Sequence, residues 1–254
     1  MTTTQFRRAL ITGASEGIGR ALAVKLAERG YAITAVARNA DRLDSLLALL
    51  GGSGHRKIVA DLTTEAGLAL VAREITDSDH YSLLANNAGF GSVGDFVETP
   101  LSRHREMVFL NITTLVELTY AFLTRAERGD GVIEVSSVLG YVPMPSQPVY
   151  SATKAFVASF SESLWFECRR KGVTVVNLAP GSTATEFPSR AGFSAGEVPR
   201  WATESAETVA ENAIRAYERK ARPTAVSGRL NRGMLLLARL FSRKQLIKIM
   251  GSIR

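Results

Sequence analysis

Tyr150 and Lys154 stand four residues apart in Tyr150-Ser151-Ala152-Thr153-Lys154, and Ser137 lies thirteen residues before the tyrosine. On a helix, positions i and i+4 share a face, so the lysine charge comes close to the phenol. A neighbouring cation favours phenolate, and the expectation is a phenol pKa brought down from its ordinary ~10 toward neutrality. Such a phenol can give a proton to a substrate oxygen, or take one from it, while Ser137 holds that oxygen by a hydrogen bond. The Tyr/Lys pair alone is weakly specific, because the same spacing arises by chance on many surface helices. The three groups together point to proton transfer at a carbonyl or alcohol.

These side chains need a scaffold and an electron carrier, and the start of the chain offers both. Arg7-Arg8-Ala9-Leu10-Ile11 reads as a short strand running into Thr12-Gly13-Ala14-Ser15-Glu16-Gly17-Ile18-Gly19. An amphipathic helix follows to about Arg29, with Ile18, Ala21, Leu22, Leu26 and Ala27 on one side. Glycines permit the tight turn, let backbone approach a pyrophosphate and let the helix pack closely on the strand. The helix start then presents N–H groups and a positive dipole end to phosphate. A plain strand-to-helix turn is the alternative for this segment alone.

Taken in order, Thr12-Gly-x-x-x-Gly-x-Gly19, Asn86-Asn87-Ala88-Gly89, Ser137, Tyr150-x-x-x-Lys154 and Pro180-Gly181 resemble the short-chain dehydrogenase/reductase family, in its short, NADP-preferring form, over residues 6 to about 226. Five motifs in register are far more specific than any one. The resemblance implies a catalytic set of Asn111, Ser137, Tyr150 and Lys154. It assigns Asn111 to a helix irregularity that binds a water and links the lysine to solvent, an asparagine bonded to neighbouring backbone being the alternative. It also implies cofactor contacts from Thr12, Gly13, Ser15, Gly17, Ile18, Gly19, Asp61, Leu62, Asn87, Ala88, Gly89, Tyr150, Lys154, Pro180, Gly181, Thr183 and Thr185. Asp61 would meet the adenine amino group, a helix-capping role before Thr64 being its alternative. In the mechanism so implied, Ser137 polarises a carbonyl that takes hydride from the nicotinamide, and Tyr150 protonates the resulting alkoxide.

Composition agrees with one globular enzyme. The chain has 254 residues, 46% of them hydrophobic, enough for one sizeable core. Met1-Thr2-Thr3-Thr4-Gln5 is polar and unlike a signal peptide, and a single cysteine, Cys168, fits a reducing, cytoplasmic setting. Cys168 reads as packing; His55, His80 and His104 show no ligand spacing, so no metal site is expected.

Strand patterns at 7–12, 31–37, 56–60, 82–86, 131–136, 173–178 and 224–227 alternate with helical ones at 17–29, 40–50, 64–76, 101–126, 150–170 and 205–220. Alternation argues for an α/β fold, a Rossmann-like doubly wound parallel sheet of about seven strands with helices on both faces. The strand order 3-2-1-4-5-6-7 comes from the resemblance. Residues 1–228 form the expected catalytic domain and 229–254 a tail.

Cofactor preference is read at the end of the second strand. An acid there would accept hydrogen bonds from the ribose 2′-OH of NAD; the chain instead has Ala37 followed by Arg38, nineteen residues past Gly19. Arginine can hold a 2′-phosphate through two N–H bonds, which predicts NADP(H) over NAD(H). Glu16 cuts against this, since many NADP-preferring relatives carry a basic residue there; Arg42 could assist, a solvated helix position being its alternative and the favoured reading.

A substrate lid is expected between Pro180 and the next helix, with Phe187, Phe193 and Trp201 amid Pro188, Gly192, Gly196 and Pro199. With Tyr141, Val142, Pro143 and Met144 it suggests a small hydrophobic carbonyl or alcohol; Arg190 could pair a carboxylate. The resemblance further implies a homo-oligomer, dimer or tetramer, built on the long central and catalytic helices. A non-catalytic NADP(H)-binding scaffold has no need of the Ser/Tyr/Lys set, and an epimerase or dehydratase usually carries a larger substrate region.

From Arg219 onward the chain holds ten Lys/Arg and no Asp/Glu, against +7 for the whole, so the remainder is slightly acidic. The basicity is therefore local and does not predict nucleic-acid binding. Residues 233–250 mix apolar and basic side chains too finely for a membrane span. Three fates are open: packing on this fold or a neighbouring subunit, peripheral contact with an anionic membrane, or an acidic protein partner.

Overall fold

The central apolar runs become strands because parallel strands covered on both faces can carry uninterrupted hydrophobic sequence. In the computed structural model, which describes residues 7–187, 191–192, 203–220 and 222–252, β2 (Ala32–Ala37) and β6 (Thr174–Ala179) are buried at every position. With β1 (Arg8–Thr12), β3 (Arg56–Val59), β4 (Leu83–Asn86), β5 (Gly131–Val135) and β9 (Thr224–Val226) they form a seven-stranded parallel sheet ordered β3-β2-β1-β4-β5-β6-β9. A second, two-stranded sheet pairs β7 (Thr183–Ala184) with β8 (Glu204–Ser205).

Helices cover both faces. On one side α1 (Gly17–Glu28), α2 (Ala40–Leu47) and α7 (Ala206–Arg219) enclose Ile11, Leu22, Leu26, Ile33, Leu83, Ile133 and Val176. On the other, α3 (Glu65–Asp77), α5 (Leu115–Arg125) and α6 (Pro148–Cys168) pack with Leu10, Val71, Leu84, Phe122 and Val175. The chain ends in α8 (Arg229–Ala238) and α9 (Arg243–Gly251). Cys168 is buried in the second core, as packing requires.

The expected helix over 101–126 is one rod in three parts: α4 (Leu101–Val108), a π-helical segment Phe109–Thr114 and α5. An extra residue per turn is the irregularity expected at Asn111, and such insertions occur mostly at functional sites. Among the described residues no group of His, Cys, Asp and Glu could hold a metal ion.

Sheet order reverses beside β1, whose neighbours are β2 and β4. Ligands of open α/β sheets bind in the crevice at such a switch point, outside the carboxyl ends of the strands. Because the strands run parallel, every loop that follows one emerges at that same edge.

Candidate active site

The Gly-rich turn leaves β1 at that edge. Gly13 takes a left-handed φ of 66°, and a Cβ added at Gly19 would lie 2.3 Å from the Gly13 carbonyl oxygen. A side chain at either position would close the turn. Thr12 ties it to the next loop: its Oγ1 accepts from the N–H groups of Asn87 and Ala88, both at 3.0 Å, and Asn87 Nδ2 donates to the Thr12 carbonyl at 3.0 Å. Glu16, at the head of α1, makes no capping hydrogen bond, and the first turn holds no acid. The N–H groups of that turn therefore suit an anion, and the cradle fits a dinucleotide's pyrophosphate. Ile18 instead packs against the core.

Arg38 extends from the end of β2 with its side chain 67% exposed, and its guanidinium stands 3.9 Å from the Asp61 carboxylate. Asp61 accepts from Thr63 N at 3.0 Å and Thr63 Oγ1 at 2.7 Å, whereas the cap of α3 is Thr64. The capping alternative for Asp61 is thus set aside. Burial pulls its carboxyl upward, but the Thr63 bonds and Arg38 outweigh it and leave the pKa below the usual value. Leu62 turns its side chain into the core and its carbonyl accepts from Thr114 Oγ1 at 2.9 Å, so only its N–H could face a purine. Arg42 binds Glu16 and Glu186 through its guanidinium, the latter at 3.0 and 3.2 Å, at the partly exposed surface of α2.

Gly89 brings the β4 loop onto the catalytic groups: a Cβ there would stand 3.0 Å from Asn111 Oδ1 and 3.4 Å from Lys154 Nζ. Asn111 is 1% exposed and clamps the same loop, accepting from Phe90 N at 3.2 Å and donating to Phe90 O at 3.0 Å and Thr153 Oγ1 at 3.1 Å. A buried amide demands such partners. Ser137 lies two residues past the end of β5 and caps the short turn Val138–Gly140, accepting from Leu139 N at 3.2 Å. Tyr150 and Lys154 rise from the first turns of α6, and Lys154 Nζ donates to the Val135 carbonyl at 2.8 Å.

The electrostatics differ from the sequence expectation. Burial pushes the Tyr150 phenol up to about 12, and its hydrogen bond with Ser137 only partly opposes this. Lys154, with Nζ 5.8 Å from the Tyr150 ring centroid, does not bring the phenol toward neutrality. Burial lowers Lys154 itself to about 8, although Glu134 pulls the other way. Both groups sit in a medium that penalises charge, and burial is the larger cause of each shift.

Pro180, Gly181, Thr183 and Thr185 follow β6 along the same edge, and Thr185 lies against the Gly-rich turn, 3.0 Å from a Cβ built on Gly17. Both threonine hydroxyls donate to local carbonyls, Thr183 to Gly181 O at 3.2 Å and Thr185 to Thr183 O at 3.5 Å, and the Pro180 carbonyl accepts from Val138 N. Phe187 covers Tyr150, ring centroids 5.7 Å apart. Pro188, Arg190, Phe193, Gly196, Pro199 and Trp201 lie outside the described residues. Tyr141 is not an open substrate wall: its hydroxyl joins Glu162, Asn177 and Thr224, and Val142 is buried. Pro143 and Met144 remain half-buried beside the serine.

Two features escaped the sequence reading. Glu134, fully buried in β5, receives bonds from Thr119 Oγ1 at 2.7 Å and Asn86 Nδ2 at 3.3 Å, and burial pushes it up to about 7. A lone acid in the apolar run Gly131-Val-Ile-Glu-Val135 was its one signal. Ser146, in the loop before α6, holds a left-handed φ of 74°, a strained state common near active sites.

Residues 7–192 match the family profile of short chain dehydrogenase. The chain belongs to the short-chain dehydrogenase family. It is 36% identical over 181 residues to serine 3-dehydrogenase of Rhizobium radiobacter, covering 70% of this chain and 72% of that one. Sulfoacetaldehyde reductase of Chromohalobacter salexigens is likewise 36% identical, over 183 residues, with the same shares covered. Among solved structures, a short-chain dehydrogenase from Sphingobium yanoikuyae in complex with NADPH superposes with a TM-score of 0.82 at 30% identity, covering 92% of this chain and 94% of that one. The bulky-bulky ketone specific alcohol dehydrogenase from Comamonas testosteroni gives 0.79 at 29% identity, covering 93% of each. This short-chain dehydrogenase is thus an oxidoreductase by family, with the fold the strand pattern implied.

Proposed function

We propose that the protein interconverts a carbonyl and an alcohol on a small hydrophobic substrate with NADP(H), Tyr150 acting as general acid and base. The observation that carries this reading is the convergence of Ser137, Tyr150, Lys154 and Asn111 beside the Gly-rich cradle at one sheet edge. The cradle residues fit a dinucleotide, Arg38 favours a 2′-phosphate, and Phe187 over Tyr150 favours an apolar substrate. The relatives support it in kind: one is a reductase of an aldehyde, and one solved structure holds NADPH. When bound, the nicotinamide supplies or accepts the hydride.

The chain's own residues supply the rest. Ser137 holds the substrate oxygen and orients it. Tyr150 stays protonated at neutral pH, as its pKa of about 12 requires, and gives its proton to the developing alkoxide. Lys154 moves protons readily near its pKa of about 8 and, when charged, compensates the phenolate that remains. Asn111 fixes the loop around Lys154. Phe187 excludes water from the reacting oxygen.

Tyr150→Phe tests the proposal. NADPH oxidation with a panel of hydrophobic ketones and aldehydes should fall at least 100-fold, the usual scale for a positioned acid, while NADPH fluorescence still reports binding. Substantial turnover in that variant would refute the assignment. Epimerase or dehydratase chemistry would show instead as product formed without net NADPH consumption.

A further inference from the structure

Amphipathic helices normally bury their apolar side, and the last two helices leave several large apolar side chains in solvent. α8 buries none of its residues and α9 buries only Leu246. Leu236, Leu237 and Leu240 are 63%, 59% and 79% exposed. Past Ala238 the chain continues in a turn, with Leu240 N bonded to Leu237 O and Phe241 N to Ala238 O. At about 3.6 residues per turn, Leu230 and Leu237 share one side of α8, Leu236 lies further round the exposed surface, and Arg232 and Arg239 lie beyond Leu236, opposite Leu230. Packing on this fold, one fate open to the tail from sequence, accounts for Leu246 and for the half-buried Met234, Leu235 and Ala238, but leaves Leu236, Leu237 and Leu240 uncovered.

Charge and shape narrow the partner. Residues 229–252 carry six Lys/Arg and no Asp/Glu. A second copy seated on this surface would set six cations against six, whereas an anionic surface would complement them. Leucines this exposed project outward; a groove built for a peptide would shelter its walls. Protruding apolar side chains flanked by cations are the features of a segment that enters the headgroup layer of an anionic bilayer.

The placement is equally specific. Asn231 at the start of α8 packs on Gly181, where a Cβ would lie 2.4 Å from its Nδ2, and Gly251 at the end of α9 reaches Pro145. The tail thus connects the loop after β6 with the loop before Tyr150. We propose that α8 and α9 form a docking surface for anionic lipid that seats the catalytic edge at a membrane interface.

Co-sedimentation of the full chain with phosphatidylcholine vesicles, with and without phosphatidylglycerol, tests this. Binding should require phosphatidylglycerol, weaken with added salt and fall about five-fold for each of Arg239, Arg243 and Lys244 changed to Gln. L236S/L237S/L240S, all exposed positions, should lose most of the remainder while circular dichroism stays unchanged. Protein left in the supernatant with both vesicles overturns the proposal, as does triple-leucine variant binding equal to the parent's. A change of oligomeric state in that variant, read by light scattering, would also overturn it and assign the surface to a second copy. Vesicle binding needs neither cofactor nor substrate, so its failure leaves the oxidoreductase reading untouched.

Discussion

Tyr150 and Arg38 illustrate how differently single residues can be read. Arg38 acts through what it is, a guanidinium at the end of β2 with most of its surface in solvent. Arg38→Asp should therefore shift the ratio of kcat/KM for NADPH over NADH toward NADH by about ten-fold or more, as loss of a charged pair of bonds implies. An unchanged ratio in steady-state kinetics would remove the preference. Tyr150 acts through where it is, and burial sets its acidity. Glu134 shows the same effect in a form that stability can report. Its folded pKa of about 7 lies above the ordinary carboxyl value, so between about pH 4.5 and 7 the unfolded chain loses a proton that the fold retains. Stability from this group is thus present at low pH and declines as pH rises through that window. Glu134→Gln should gain on the parent by on the order of 1–3 kcal/mol between pH 4.5 and pH 8, read by urea unfolding at each pH.

At the scale of elements, the site depends on how closely β1, α1 and the β4 loop approach. Gly19→Ala places a methyl against the Gly13 carbonyl and Asn87 Nδ2, both under 3 Å from where its Cβ must stand. The expected cost is about 1–3 kcal/mol in urea unfolding, with NADPH affinity lost as the cradle distorts. Gly233→Ala in α8 is the contrast, since nothing lies within 4 Å of a Cβ there. It should stabilise the protein by up to about 1 kcal/mol. The π-helical segment belongs to this scale too. Phe109-Leu-Asn-Ile-Thr-Thr114 is π-helical and presents Asn111 to Phe90 and Thr153, partners distant in sequence.

The whole molecule gathers residues as far apart in sequence as Thr12 and Phe187 at one edge of one sheet, so cofactor binding should be felt as global stability. At a hundred times its Kd, NADPH should add about 2.7 kcal/mol, or roughly 5–10 °C in Tm for a chain of this size. NADH at the same concentration should give a smaller shift in differential scanning fluorimetry. Equal shifts would argue against Arg38 as the discriminating contact. The tail also belongs here, because its orientation relative to the catalytic edge is a property of the assembled fold.

Much of this protein was legible without coordinates because its signals are local. Apolar runs of four to six residues specify buried parallel strands, Thr12 to Gly19 specifies a phosphate turn, and a four-residue interval places Tyr150 beside Lys154. Parallel connection then delivers each post-strand loop to the same edge, so the motif order already implied the site. Tertiary structure decided what depends on residues distant in sequence. Desolvation by the surrounding core raised Tyr150 and lowered Lys154, Glu16 and Glu186 engaged Arg42, and Glu162, Asn177 and Thr224 drew Tyr141 inward. The same holds for the tail: its amphipathic pattern was written in the chain, but only the packed fold left Leu236, Leu237 and Leu240 in solvent. Burial is a sum over neighbours from the entire chain, and no local stretch of sequence contains that sum.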